Sequence, residues 1–135
     1  MRPSPLLRAV DAVMVPVPSL DEGLRFYRDQ LGHELLWRND PLGQAGLRLP
    51  ESEAELVLST THGYAPSWLV TSVAAAVETV LAAGGRVVQQ PTPIPVGRLA
   101  VVADPFGNPL VLLDLSTGRY VTDESGHVTH VEPSE

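Results

Sequence analysis

A chain of 135 residues is long enough for one hydrophobic core, and its formal net charge of -7 lacks the Lys/Arg excess that phosphate neutralisation requires, so nucleic acid is not an expected partner. The absence of cysteine excludes disulfides, thiolate metal sites and cysteine nucleophiles. No apolar run approaches the ~20 residues of a membrane span, and the opening Met-Arg-Pro-Ser-Pro-Leu-Leu-Arg has no signal-type apolar core, so the expectation is a cytoplasmic protein without a membrane partner.

Residues 10–18 read as a Val-rich strand, with Pro16 and Pro18 marking a partly open side, because proline cannot donate to a sheet ladder. Ser19 followed three residues later by Glu22 is a capping-box pattern. Leu20, Leu24, Tyr27 and Leu31 then follow at helical spacing, and Gly32 ends the helix. Three short strands are expected at 34–38, 45–49 and 54–60, separated by turns rich in Pro, Gly, Asn, Asp and Ser. The order then repeats. A strand at 67–71 leads to a second N-cap, Ser72, and to an Ala-rich helix striped by Val73, Val77, Val80 and Leu81 and ended by Gly84 and Gly85. Strands follow at 86–90, 99–103 and 109–115, with 91–95 read as a proline-rich loop.

The two halves correspond at a nearly fixed offset. Val17 matches Val70, Ser19 matches Ser72, Leu24 matches Val77, Gly32 matches Gly85, and the run Leu56, Val57, Leu58 matches Leu110, Val111, Leu112. Self-similarity on this scale marks a duplicated unit. The expected fold class is therefore α+β: two βαβββ modules, 10–60 and 65–115, forming a cupped mixed sheet with helices outside. The extension 116–135 reads as a β-hairpin, with strands at 119–122 and 127–131, that covers an edge strand or makes a dimer contact. The whole of 1–135 is expected to be a single domain.

Two motifs carry a resemblance. The stretch from Val17 to Gly32, with its Phe26-Tyr27 and Leu31-Gly32, is similar to the opening strand and helix of the glyoxalase/bleomycin-resistance proteins. The stretch Asp104-Pro105-Phe106-Gly107-Asn108-Pro109 is similar to the turn before that family's last strand. The chain thus resembles the vicinal oxygen chelate superfamily, which also includes extradiol dioxygenases, over about residues 10–115. The resemblance implies two modules facing one another around a cup, often within a dimer, with metal ligands on four strands in the metal-dependent members. Carried over position by position, the four ligand sites are Ala12, Ala65, Val57 and Val111, none of which offers an oxygen or nitrogen donor from its side chain. The expectation is no metal at these positions and no cofactor.

Strand parity from those four positions names the wall of the cup. With Trp37 added as a large aromatic at a strand end, the expected ligand-binding residues are Met14, Trp37, Glu55, Val57, Ser59, Ser67, Val111 and Leu113, a mostly apolar set with sparse polar groups, as a small-molecule pocket requires. Ala12, Pro16, Ala65, Leu69 and Pro109 share their parity, whereas Trp68 falls on the helix-facing side. No catalytic residue is assigned. Asp104 reads as turn chemistry, and His33, His62, His127 and His130 show no zinc-type spacing, with His62 alone near the rim. The preferred reading is a metal-free homodimeric protein that sequesters or carries an apolar or aromatic small molecule. Two alternatives stand beside it. One is a metal-dependent lyase, isomerase or dioxygenase with displaced ligands such as Glu55 and His62, and the other is an interaction protein with a closed cup.

Overall fold

The computed structural model describes residues 4–133; residues 1–3, the start of the stretch read for a leader, and 134–135 lie outside it. Compactness divides the chain into two units, Ala12–Ala65 with Tyr120–Val131, and Pro66–Arg119 with the residues up to Asp11 and from Glu132. Each unit holds one βαβββ module, as the internal repeat predicts.

In the first module, β1 (Ala9–Pro16) leads to α1 (Leu20–Leu24) and then to β2 (Leu35–Asn39), β3 (Gln44–Arg48) and β4 (Glu55–Ser59). Strands run in the order β2-β3-β4-β1, with β1 parallel to β4 and the other pairs antiparallel, so the sheet is mixed. The N-cap half of the capping box forms as read, the Ser19 hydroxyl accepting the Glu22 N–H at 3.1 Å, while the Glu22 carboxylate accepts the Ser19 hydroxyl at 3.0 Å. Leu20, Leu24, Ala45, Leu47 and Leu58 close the core beneath α1.

One expected feature of this helix is corrected. The helix continues past Leu24 as a π-helical turn, Arg25–Gln30, in which the Leu31 N–H reaches back five residues to the Phe26 carbonyl at 3.0 Å. The wider winding rotates the last turn, so Tyr27 still packs on the core while Leu31, the expected end of the apolar stripe, is exposed.

In the second module, β5 (Ala65–Leu69), α2 (Val73–Ala82), β6 (Arg86–Ile94), β7 (Gly97–Ala103) and β8 (Pro109–Asp114) form a sheet in the order β5-β8-β7-β6, with β5 parallel to β8. Val70, Val73, Ala76, Val77, Ala100, Val102 and Leu112 make its core, and Trp68 packs against them on the helix-facing side, as alternation predicts. The Ser72 hydroxyl accepts the Ala75 N–H at 3.2 Å, an N-cap worth about 1 kcal/mol. Replacing Ser72 by alanine is accordingly expected to lower stability by about 1 kcal/mol in urea unfolding, with the slope unchanged.

The proline-rich loop expected at 91–95 is instead largely strand: β6 runs through Pro91 and Pro93 to Ile94, with irregularities between Val87 and Gln89 and between Gln89 and Thr92. Proline is tolerated there because β6 has β7 as its one ladder neighbour, so the missing N–H is on the open side or at a bulge.

The C-terminal segment forms the expected hairpin, β9 (Arg119–Thr122) and β10 (Val128–Glu132). Its turn is built by Asp123, whose carboxylate accepts the N–H groups of Ser125 and His127 at 2.9 and 3.0 Å, and by Gly126 at φ +86. The tip covers part of the edge of β2: the Arg38 N–H donates to the Gly126 carbonyl at 2.7 Å. Among the described residues no helix is long and apolar enough to cross a membrane.

Candidate functional site

Register fixes which side chains share a face, since cross-strand partners point the same way. On the face of the first module away from α1, one row runs Trp37, Gly46, Val57, Met14 across β2, β3, β4 and β1. The row on one side of it is Arg48, Glu55, Ala12, and on the other Asn39, Gln44, Ser59, Pro16. Five of the expected ligand-binding residues, Met14, Trp37, Glu55, Val57 and Ser59, thus lie together on one surface. In the second module Ser67, Val111 and Leu113 share the face away from α2, with Ser67 opposite Val111 and Leu69 opposite Leu113.

Trp37 reaches this surface through an irregularity. The ladder slips between Leu35 and Trp37, so these two residues, which strict alternation would put on one face, point to opposite faces. Leu35 packs on the core and Trp37 lies on the open side. The indole spans Gly46, where a Cβ would collide with its Nε1 and Cε2 atoms, and donates from Nε1 to the Glu55 carboxylate at 2.6 Å. The indole also meets Tyr120 of the hairpin, ring centroids 4.9 Å apart at 42°. A floor of glycine, a carboxylate at the N–H and a ring against the flank hold this one rotamer.

The polar groups are committed unevenly. The Ser59 hydroxyl, 0% exposed, accepts the N–H groups of Thr61 and His62 at 3.2 and 3.0 Å, so it serves to turn the chain after β4. Gln44, which sequence reading passed over, is buried beside it and approaches His62 Nδ1 at 3.4 Å. Its parity with Gly46 was the available signal. The Asn39 amide is fixed by the Leu42 N–H donating to its Oδ1 at 3.2 Å, which leaves its Nδ2 donating to the Tyr120 hydroxyl at 3.3 Å. Burial raises the Tyr120 phenol above its ordinary value, the Asn39 bond opposes this, and the negative charge of Glu55 adds to it. No sequence pattern linked Tyr120 to this surface.

The displaced-ligand pair is corrected. Glu55 opens β4 and Ser59 ends it, a separation of about 13 Å along an extended strand, and His62 follows Ser59. Glu55 turns to Trp37 while His62 Nδ1 faces Gln44 and Thr61, so the two are not brought together. Ala12, Ala65, Val57 and Val111 offer side chains of methyl groups where the resemblance places ligands. Among the described residues no three carboxylate or imidazole groups converge as a metal site would need, and this donor set does not fit a resident cation. His33 Nδ1 faces the Arg48 carbonyl at 3.1 Å, and His127 lies 3.7 Å from Asp40. Asp104 performs turn chemistry: its carboxylate accepts from the N–H groups of Phe106 and Asn108 and from the Asn108 amide, each at 2.9 Å. The bond from the Asn108 side chain leads in holding this carboxyl below its ordinary value.

Comparison with known proteins places the chain. The methylmalonyl-CoA epimerase of Mycobacterium tuberculosis is 23% identical, with a TM-score of 0.64, over 84% of this chain and 92% of that one. A hypothetical protein of Bacillus halodurans C-125 is 18% identical, with a TM-score of 0.64, over 86% and 97%. A variant methylmalonyl-CoA epimerase of Streptomyces coelicolor in complex with 2-nitronate-propionyl-CoA is 21% identical, with a TM-score of 0.63, over 80% and 97%. These likenesses are of fold. No curated protein matches significantly. The family model for the Glyoxalase/Bleomycin resistance protein/Dioxygenase superfamily matches residues 9–112, most of the chain, and the protein belongs to that superfamily.

Proposed function

We propose that the protein binds a flat apolar or aromatic small molecule without a metal, on the face formed by Trp37, Gly46, Val57 and Met14. The observation that carries this reading is the seating of Trp37: an aromatic ring held over a glycine floor by Glu55 and Tyr120, next to aliphatic side chains where the superfamily places metal ligands. A mostly apolar wall with a few oriented polar groups is the general character of small-molecule sites. Glu55 adds a negative charge that disfavours anionic ligands and favours neutral or cationic ones. The remaining expected residues, Ser67, Val111 and Leu113, extend the reading to the second module. The same reading takes the protein as a cytoplasmic homodimer, the dimer resting on the habit of the superfamily.

Tryptophan fluorescence titrated with a panel of flat aromatic compounds is expected to give saturable changes for at least one neutral or cationic member and none for carboxylated analogues. Absence of saturation throughout the panel contradicts the reading. A second reading, an isomerase, is favoured by the methylmalonyl-CoA epimerases among the similar folds. It requires solvent-exchangeable carbon acidity, so deuterium incorporation into methylmalonyl-CoA in heavy water, above the rate without protein, would establish it in place of the first.

A further inference from the structure

The hairpin lies beyond the segment that the superfamily model matches, yet it supplies a wall of the site just described. Its attachment to β2 is specific: Gly126 pairs with Arg38 through the backbone, Tyr120 flanks Trp37, and Asn39 donates to the Tyr120 hydroxyl. The Asn39 amide orientation is not free, because the Leu42 N–H already occupies Oδ1. The phenol oxygen is therefore an acceptor toward Asn39, and its own proton is left for a further acceptor.

Building on the proposed ligand face, we infer that Tyr120 is a specificity-determining residue: its hydroxyl donates a hydrogen bond to a neutral carbonyl-type oxygen on a flat ligand lying against Trp37. The Glu55 carboxylate at the indole N–H, whose charge reaches the Tyr120 phenol, sets the sign of the preference, since an anionic acceptor would meet that charge while a neutral carbonyl would not. The phenol stays protonated at neutral pH, because burial and the same carboxylate both oppose its ionisation.

The test compares indanone with indane, two flat molecules that differ by the carbonyl, by fluorescence titration of the wild-type chain and of Tyr120→Phe. The wild type is expected to bind indanone about fivefold to tenfold more tightly, as one neutral hydrogen bond allows. In Tyr120→Phe the indanone affinity falls to that of indane, while indane affinity is unchanged because the ring against Trp37 is kept. Equal affinities in the wild type, or a preference that survives in Tyr120→Phe, overturn the inference and leave the ligand-face reading standing. A parallel loss for both compounds also overturns it, because Tyr120 then acts only as a support for the hairpin. Failure of either compound to bind the wild type, together with an unresponsive aromatic panel, sinks the ligand-face reading and this inference with it.

Discussion

Replacing Asp114 by alanine is expected to destabilise the protein by about 3 to 5 kcal/mol, the largest single effect anticipated outside the apolar cores. Asp114 ends β8 and is only 3% exposed. Its carboxylate accepts the first N–H of α2, at Val73, at 2.8 Å, the Arg98 N–H of β7 at 3.0 Å, and the Ser116 hydroxyl at 2.7 Å. One side chain thus joins a helix start, a neighbouring strand and the exit of its own strand. Alanine would leave the Val73 and Arg98 N–H groups without their acceptor, and a charged acceptor is worth more than a neutral one. Asparagine, which keeps one oxygen, should recover part of the loss.

The pH dependence follows from the same contacts. Burial pushes the Asp114 carboxyl up, but the bonds from Val73, Ser116 and Arg98 outweigh it and hold the group below its ordinary value. A carboxyl depressed in the folded state contributes stability above its unfolded pKa of about 3.9 and loses it as pH falls through the folded value. Urea unfolding of the wild type should therefore weaken below about pH 4, and the Asp114→Ala protein should show a shallower decline over that window. An identical acid slope in both proteins would assign the decline to other carboxylates.

Replacing Gly46 by valine is expected to weaken binding of an aromatic ligand by about 30-fold, a loss of about 2 kcal/mol that matches the removal of one well-seated ring from a site. A Cβ at this position collides with the Trp37 indole and comes within 2.6 Å of the Glu55 carboxylate oxygen. The indole must lift, and its bond to Glu55 breaks. The obstructing atoms, two of the Trp37 indole and one of the Glu55 carboxylate, all belong to side chains and not to backbone, and valine suits a strand, so the chain should still fold, at a cost of about 1 kcal/mol for the lost bond. Two readouts then separate a lost seat from a lost fold. Tryptophan emission should move to longer wavelength while urea unfolding remains one cooperative transition with its midpoint lowered only modestly. Unchanged affinity with displaced emission would remove Trp37 from the site.

Much of this architecture was legible because it depends on local rules. Ser19 and Ser72 cap the helices where their side chains predict, and the duplication placed the modules without any long-range information. Parity along β1 and β4 brought Met14, Glu55 and Val57 to one surface, because an uninterrupted strand alternates strictly. What escaped the sequence are departures from those periods and contacts between segments distant in the chain. The slip after Leu35 decides the face of Trp37, and the π-helical turn exposes Leu31; neither leaves a mark in the hydrophobic pattern. The repeat itself breaks at the end of the modules, where Asp114 corresponds in sequence to Thr60, and that break concealed the role of the carboxylate. Tyr120 meets Asn39 and Trp37 across some eighty residues, a contact no local signal encodes.

Elemental mass spectrometry of untagged protein, after dialysis against zinc, iron, nickel, manganese and magnesium in turn, tests the central claim most directly. With alanine and valine at the four ligand-equivalent positions, the protein is expected to retain none of these ions above trace level. One tightly held ion per chain would contradict the account, because it would require a donor set that the faces described here do not provide.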